Sequence, residues 1–432
     1  MSDSVITLSR FRTELGKSLA RRGKKLLEAE NLPERVAELT PLEGYFVVKE
    51  LGSDTALPIL SHFNEEQFQT LIDIDGWHGA EPQLEDVDAW LGVYRSLGNE
   101  NLAGAFLMLD AELQTLLLRG MLTVWDPKLD AIPEPNKDAR RKDTADGFFH
   151  IEAKEGTEWE IDPFDLVDAL YRHDLGEGTR QMLAARTEQD TFLAEEAYRF
   201  RSGRLEDWGF PDRERAMRIF AAPDPGEPDA DRSAPKVFVT IPALYAAPMS
   251  EGTLFVRAMN GVEDEGLIRS IQEELVFLVN AAVVGYGAGL RDIDHVVSIT
   301  ERVRDGVNLG LEALTRDQVD DERPAKARSV IASKRLESIF QTGQAELQTV
   351  ARSARALASD PIIENWLARE ETDDDEYKQE KADRAFLRRL VEQPPLVGGY
   401  DRVRPDKVRM PSTLDELEAV RERLEALAHT LR

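Results

Sequence analysis

Apolar residues recur every three or four positions along most of this 432-residue chain, which is the spacing of a helix with one buried face. Helices of this kind are predicted at 263–285, 292–314 and 325–359, among other places. Short runs that favour β-strands are few. The pattern therefore predicts a mainly α fold: a stacked helical-repeat (superhelical) N-terminal domain and a helical C-terminal domain, with small β-hairpin insertions.

The clearest organisation is an internal repeat of roughly 45 residues within 33–126. Leu-Gly-Ser-Asp at 51–54 recurs as Leu-Gly-Asn-Glu at 97–100, and the segment from Asn64 recurs in similar form from Asp110. Glycine after leucine ends a helix where a left-handed conformation is needed, and Ser53, Asn99, Asn64 and Asp110 are predicted N-caps. Short helices cannot bury their faces singly, so we predict a helical-repeat domain at 31–126.

The other segments are assigned in the same way. They are a basic amphipathic helix at 1–30, a loop or linker at 127–146, a hairpin plus helical region with an aromatic–basic corner at 147–222, a Pro-rich loop with extended segments at 223–262, a helical C-terminal domain at 263–369, an acidic and Pro/Gly-rich linker at 370–411 and a C-terminal amphipathic helix at 412–432. The predicted hairpin pairs 148–152 with 158–161, and the predicted extended segments are 237–241 and 253–256. Ser412 with Asp415 resembles a capping box for the last helix.

Charge and composition narrow the possible functions. The formal charge of −28 repels phosphate backbones and anionic membrane surfaces, which argues against nucleic-acid binding. The chain has no cysteine, which removes thiolate metal sites and cysteine nucleophiles. No stretch of about 18 uncharged apolar residues is present, so no membrane insertion is expected and a cytoplasmic location is predicted. The acidity permits basic protein partners or weak binding of divalent cations.

A search for catalytic motifs predicts no catalytic residue, no cofactor and no metal site. The glycines at 285–289 follow a predicted helix rather than a strand, so they are interpreted as a helix end and not as a dinucleotide fingerprint. The six histidines are scattered singly. Asp292 and Asp294 are interpreted as helix caps, and the acidic run at 373–376 as a solvated linker.

Residues 198–220 are the best candidate for a binding site, because arginine and aromatic residues dominate binding hot spots. Arg201, Arg204, Trp208 and Phe210 are the predicted partner-binding residues. A structural alternative stays open, in which the aromatic residues are core and the arginines pair with helix ends or carboxylates.

Three stretches carry a resemblance: 25–29 (Lys-Leu-Leu-Glu-Ala), 48–60 and 199–212, the last with Gly-Arg-Leu followed by Gly-Phe-Pro. They resemble an uncharacterised bacterial family, a domain of unknown function, over about residues 20–400. That resemblance implies no activity. More loosely, the repeat is similar to the cytosolic helical superhelix of bacterial magnesium transporters, where the superhelix senses Mg²⁺.

Together these observations favour a non-enzymatic cytoplasmic protein–protein interaction or scaffold protein that binds a protein partner or itself. Two alternatives stay open. One is a divalent-cation-responsive regulatory protein that uses carboxylates between helices. The other is an enzyme with a dispersed site, whose carboxylates and arginines meet only in the folded chain.

Overall fold

The computed structural model describes residues 21–136, 138–223, 252–287, 291, 293–369, 378–392, 394–398 and 408–431. The predicted fold class is confirmed: the structure is mainly α-helical with small antiparallel sheets. None of the described helices combines the length and the apolar composition needed to cross a bilayer. The chain divides into two compact units. The N-terminal unit contains the described residues within Ile6–Asp207 and Gly289–Ile293, and the C-terminal unit contains those within Trp208–Ala288 and Asp294–Arg432.

The N-terminal unit is an array of short helices. They are α1 (residues 21–27), α2 (Leu32–Ala37), α3 (Pro41–Leu51), α4 (Ser53–Leu60), α5 (Glu65–Asp75), α6 (Leu84–Arg95), α7 (Asn99–Leu107), α8 (Ala111–Met121), α9 (Pro163–His173), α10 (Leu175–Thr187) and α11 (Asp190–Asp207). The repeat consists of two three-helix units, α3–α5 and α6–α8, with helix lengths of 11, 8 and 11 against 12, 9 and 11 residues. The sequence repeat therefore corresponds to a structural one.

Glycine sets the first junction of each repeat unit. Gly52 and Gly98 have φ angles of 78° and 111°, a region that residues with a Cβ rarely adopt. These glycines, and not Ser53 and Asn99, occupy the N-cap positions of α4 and α7. The prediction of those two side-chain caps is therefore wrong, because α4 and α7 start one residue earlier than expected.

The sheets of the N-terminal unit lie after the third helix of each repeat. β1 (Trp77–His78) and β2 (Glu81–Pro82) form a hairpin after α5. After α8, β3 (Leu122–Trp125), β4 (Arg141–Asp143) and β5 (His150–Ala153) form an antiparallel sheet with β5 in the centre. The predicted strand at 148–152 is thus present, but its partners are β3 and β4 and not 158–161, which is not a strand. β4 lies inside the segment predicted as a loop or linker.

One ion pair connects the two chain segments of the N-terminal unit. Arg291 Nη1 lies 2.7 Å from Asp86 Oδ2 on α6. Asp86 also belongs to the first turn of α6, where a carboxylate interacts favourably with the positive end of the helix dipole. Residues more than two hundred positions apart therefore complete one unit.

The C-terminal unit is built from longer helices. They are α12 (Arg213–Arg218), α13 (Leu254–Met259), α14 (Glu265–Gly285), α15 (Ile293–Leu314), α16 (Arg323–Ser333), α17 (Leu336–Ala358), α18 (Pro361–Leu367), α19 (Lys378–Val391) and α20 (Leu414–Leu431). β6 (Val397–Gly398) and β7 (Val408–Arg409) form a two-stranded sheet. The buried face of α17 packs against α14, α18, α19 and α20, and Leu347, Trp366, Leu387 and Leu424 share one core cluster.

Glycines bring α15 and α17 close together. A Cβ on Gly310 would lie 1.9 Å from the carbonyl oxygen of Ile339, and one on Gly343 would lie 2.1 Å from that of Gly306. Real Cβ atoms do not approach a backbone oxygen so closely. The helix backbones are therefore in direct contact, and this packing requires residues without a side chain.

Two local predictions in the C-terminal unit are wrong. Residues 253–256 are predicted to be extended, but α13 starts there, because the Thr253 side chain accepts from Val256 N and caps the helix. The cap of α20 is shifted by one residue: Thr413 Oγ1 accepts from Glu416 N, and Glu416 Oε2 accepts from Ser412 N. The other predicted extended segment, 237–241, lies outside the described residues.

Candidate functional site

Helix α11 carries the two predicted site arginines. Arg201 and Arg204 are three residues apart, so they project from the same face of the helix. Arg204 binds two carboxylates, one within α5 and one at the residue before α8. Its Nε and Nη2 donate to Asp73 on α5 at 2.7 and 2.9 Å, and its Nη1 and Nη2 donate to Asp110, the residue before α8, at 3.0 and 2.7 Å. We call Asp73, Arg204 and Asp110 the Arg204 brace.

Asp73 is the most deeply buried member of the Arg204 brace. The Asp73 side chain is 0% exposed, and burial raises the pKa of its carboxyl, although the bonds from Arg204 and the nearby Arg201 act in the opposite direction. Burial alone would lower the pKa of Arg204, but its two carboxylate partners raise it overall. The brace therefore holds a charged guanidinium and joins α5, α8 and α11.

The Arg204 brace also explains an irregular helix cap. In the first repeat unit the Asn64 side chain caps α5 by accepting from Gln67 N. Asp110 occupies the matching position before α8, but its side chain makes no capping hydrogen bond. The carboxylate binds Arg204 instead. The N-cap prediction for Asp110 is therefore right in position and wrong in its partner.

Arg201 is also engaged within the chain. Its Nε donates to the carbonyl oxygen of Asp73 at 2.7 Å and its Nη1 to that of Gly79 at 3.2 Å. The guanidinium lies 5.0 Å from the centroid of the Trp77 ring in β1. Burial lowers the pKa of Arg201, while Asp73 counteracts this effect. Arg201 thus ties α11 to the β1–β2 hairpin.

The structure places the other two predicted site residues in the C-terminal unit. Phe210 is buried, at 3% exposure, and Trp208 is half-buried. The intervening Gly209 accepts a hydrogen bond from the Asn280 amide on α14. The predicted set therefore separates into two arginines that share Asp73 and a buried aromatic segment. These contacts correspond to the structural alternative left open above.

Exposed apolar residues mark a different part of the N-terminal unit. Leu129, Phe148, Leu175 and Leu183 are 73%, 55%, 57% and 50% exposed. Leu175 and Leu183 belong to α10, Leu129 follows β3, and Phe148 precedes β5. We call these four residues the Phe148 surface.

Asp146 connects the Phe148 turn to α10. Its Oδ1 accepts from Phe148 N at 3.0 Å and from the Thr144 hydroxyl, and its Oδ2 accepts from the Tyr171 and Thr179 hydroxyls at 3.0 and 2.7 Å. Burial acts to raise the pKa of Asp146, but these four hydrogen bonds outweigh it and lower the pKa. Thr179 lies one helical turn after Leu175, so Phe148 and Leu175 are held near one carboxylate.

A second set of contacts connects α10 to the loop after β3. Arg186 Nε and Nη2 donate to the two carboxylate oxygens of Asp130 at 2.7 and 2.8 Å. Lys128 Nζ lies 5.7 Å from the centroid of the Phe148 ring. Leu183 lies between Thr179 and Arg186 along α10. The contacts therefore form a closed ring through α10 and both loops, and the four apolar residues lie on it.

The sequence contains only a weak signal for this surface. The buried face of α10 includes Gly178, Gln181, Met182 and Ala185. Leu183 directly follows Met182, so it lies about 100° away around the helix. A leucine displaced from the apolar face is a hint of an exposed role, but nothing in the sequence brings Leu183 to Phe148.

Asp88 is a buried carboxyl outside both the Arg204 brace and the Phe148 surface. Asp88 on α6 is buried and accepts from Glu160 N at 2.5 Å, and burial raises its pKa to about 6. The hydrogen bonds from the Glu160 and Ile161 backbone amides act to lower this pKa but do not outweigh burial. Among the described residues, no three or more histidine, aspartate or glutamate side chains are grouped so as to hold a metal ion.

Comparison with known families settles the relationship of the chain. A family model for a family of unknown function, DUF6178, matches residues 3–432. The chain belongs to DUF6178. The expected resemblance to a domain of unknown function is therefore confirmed, over nearly the whole chain. No curated protein and no solved structure matches this DUF6178 chain, and the similarity to magnesium transporters finds no support in these comparisons.

Proposed function

We propose that this chain is a non-enzymatic cytoplasmic protein–protein interaction protein, and that its N-terminal unit binds a protein partner through the Phe148 surface. One observation carries this proposal: four large apolar side chains, each at least 50% exposed, lie on one ring of contacts. Single exposed apolar residues are normal on any protein. Grouped ones with a polar rim are typical of interaction sites.

The ring of contacts also keeps the Phe148 surface in place. Asp146 uses four neutral donors, and Asp130 binds Arg186 through both carboxylate oxygens. A surface that is already ordered loses less conformational entropy on binding than a mobile loop does. The surface is thus suited to binding without rearrangement.

The alternative functions have weaker support. The Asp73 side chain is 0% exposed, and both Asp73 and Asp110 are already paired with Arg204, so the carboxylates of the Arg204 brace are engaged within the chain. A divalent-cation-responsive protein needs several converging carboxylates, and the described part of the chain contains no group of three or more. The brace stabilises the array, and the Phe148 surface is left as the binding candidate.

The test is affinity purification of the tagged full chain from its native cytoplasm, followed by mass spectrometry. The surface variant is Phe148→Ser/Leu183→Ser. The matched control is Ile362→Ser, which removes a 71% exposed apolar side chain from the C-terminal unit. We expect one specific partner with the wild type and the control and none with the surface variant. The same partners with all three proteins contradict the proposal, provided that circular dichroism shows them equally folded.

A further inference from the structure

We infer that the partner segment bound by the Phe148 surface is a basic amphipathic helix. This inference rests on the proposed function and adds the chemistry of the partner. Leu175 and Leu183 are eight residues apart on α10, so they lie about 12 Å apart along the helix axis. An amphipathic partner helix repeats its apolar face at the same interval, because residues i and i+8 recur on one side after two turns.

The charge of the surface favours a cationic partner. Segments 126–130, 144–149 and 174–188, which form the surface, contain six carboxylates and three cationic side chains. Two of the cations are already neutralised within the surface: Arg186 binds Asp130, and Arg180 binds Glu177. Lys128 lies over the Phe148 ring. The local balance is therefore negative.

Asp146 is the central anion of this surface. All four of its hydrogen-bond donors are neutral groups, three hydroxyls and one backbone amide. They hold the carboxylate in its ionised form without cancelling its charge. An apolar surface around an uncompensated carboxylate fits a partner that carries lysine or arginine beside its apolar residues.

A second copy of the chain is a poorer occupant. Two copies would bring formal charges of −28 together. In a symmetric dimer the same patch faces itself, so negative segments would oppose each other. Like charges across an interface oppose association. A cationic helix from a different protein meets neither penalty.

The test uses two labelled peptides of about 20 residues with the same leucine stripe and helical propensity. In one, every polar position is lysine or glutamine, and in the other it is glutamate or glutamine. Fluorescence anisotropy at about 150 mM salt measures their binding to the full-length wild type, to Phe148→Ser/Leu183→Ser and to Ile362→Ser. We expect the lysine peptide to bind the wild type at least tenfold more tightly than the glutamate peptide. We expect the surface variant to weaken that binding about tenfold or more and Ile362→Ser to leave it unchanged.

The outcomes separate this inference from the proposed function. Equal binding of the lysine peptide to all three proteins overturns the assigned site, because charge alone then explains the binding. Two outcomes overturn only the basic-helix inference. One is tighter binding of the glutamate peptide than of the lysine peptide. The other is that neither peptide binds, although a native partner still depends on the Phe148 surface. Concentration-dependent dimerisation that the surface variant abolishes, measured by analytical ultracentrifugation, shows a second copy as the occupant and overturns it too. Surface-dependent binding of the lysine peptide supports this inference, and the purification of native partners tests the proposed function separately.

Discussion

Substituting Arg204 with methionine tests whether the Arg204 brace stabilises the N-terminal unit. Methionine keeps the length and the apolar stem of the side chain but removes the guanidinium. Asp73 then stays buried without its main cationic partner, and Asp110 loses both of its bonds to α11. The hydrogen bond from Arg201 to the Asp73 backbone does not replace them, because it reaches the carbonyl oxygen and not the carboxylate.

The size of the effect follows from the exposure of the three side chains. Removing one partner of a fully buried pair costs about 3–5 kcal/mol. Asp73 is fully buried, but Arg204 is 27% and Asp110 19% exposed, so water compensates part of the loss. We therefore expect Arg204→Met to lower the free energy of unfolding by about 2–4 kcal/mol at pH 8.

The loss should depend on pH. Burial already raises the pKa of Asp73 above its ordinary value, and removal of Arg204 raises it further. A group whose pKa is higher in the folded state loses its stabilising contribution as the pH rises through that pKa. The variant therefore recovers stability at lower pH, where Asp73 is protonated, and the difference from the wild type is smaller at pH 5 than at pH 8.

Urea unfolding followed by tryptophan fluorescence provides the assay, because four of the six tryptophans belong to the N-terminal unit. The matched control is Arg199→Met, which removes an exposed arginine paired with Glu196 on the same helix. The control should change stability by less than about 0.5 kcal/mol. An Arg204→Met loss no larger than the control, or one of equal size at pH 5 and pH 8, would refute the reasoning.

Three further predictions use the same unfolding assay. Gly310→Ala should lower the free energy of unfolding by about 1–3 kcal/mol or more, because its Cβ would meet the Ile339 carbonyl. Its control, Gly203→Ala, has open space around the new Cβ and should raise the free energy of unfolding by about 0.5–1 kcal/mol. Equal effects would show that α15 and α17 are not in contact. The pKa of Asp88 is raised to about 6, so raising the pH from 5 to 8 should lower the free energy of unfolding of the wild type partly through this group. Asp88→Asn should make the free energy of unfolding depend less on pH over this range; an unchanged pH dependence contradicts this. Asp146→Ala should cost about 1–3 kcal/mol at pH 7, and the cost should shrink in acid as the lowered pKa is passed; a neutral effect would contradict the ring of contacts.

The sequence predicts helices well where the evidence for them is local. On α17, Leu336, Phe340 and Leu347 are buried at the three- and four-residue spacing that predicts the helix. The repeat is equally visible in the sequence. The junction between the first two helices of each repeat unit needs a positive φ angle, so a glycine, Gly52 or Gly98, recurs at that position. Periodicity and glycine positions depend on the helix itself, and the rest of the fold does not alter them.

Strand pairing depends on distant parts of the chain and is predicted less well. β5 is recognised from its composition, but its partner β3 lies some thirty residues upstream, whereas the segment that looks like its hairpin mate lies downstream. In Thr253-Leu254-Phe255, strand-favouring residues form the start of α13, because the threonine caps the helix and the other two side chains are buried. Tertiary burial thus outweighs β-propensity.

In the candidate site, too, local features can be predicted from the sequence, and contacts between distant residues cannot. The sequence indicates that Arg201 and Arg204 are unusual, but their partner Asp73 lies 131 residues from Arg204 and has no signal of its own. An arginine on the buried face of α11, which has few apolar residues, is the hint that could have been used. The Phe148 surface exists only through contacts of Asp146 and Asp130 with α10, so sequence reasoning could not assemble it.

The ion pair between Asp86 and Arg291 has a consequence for synthesis on the ribosome. Arg291 is polymerised 84 residues after Asp207, the end of the first segment of the N-terminal unit. At 5–20 residues per second this is a delay of about 4–17 s. Through that interval the nascent helical array has to stay folded without the ion pair from Arg291 to Asp86. Its early persistence therefore depends on contacts made within the first segment, and the Arg204 brace, complete once α11 has emerged, is one that the nascent chain can already form.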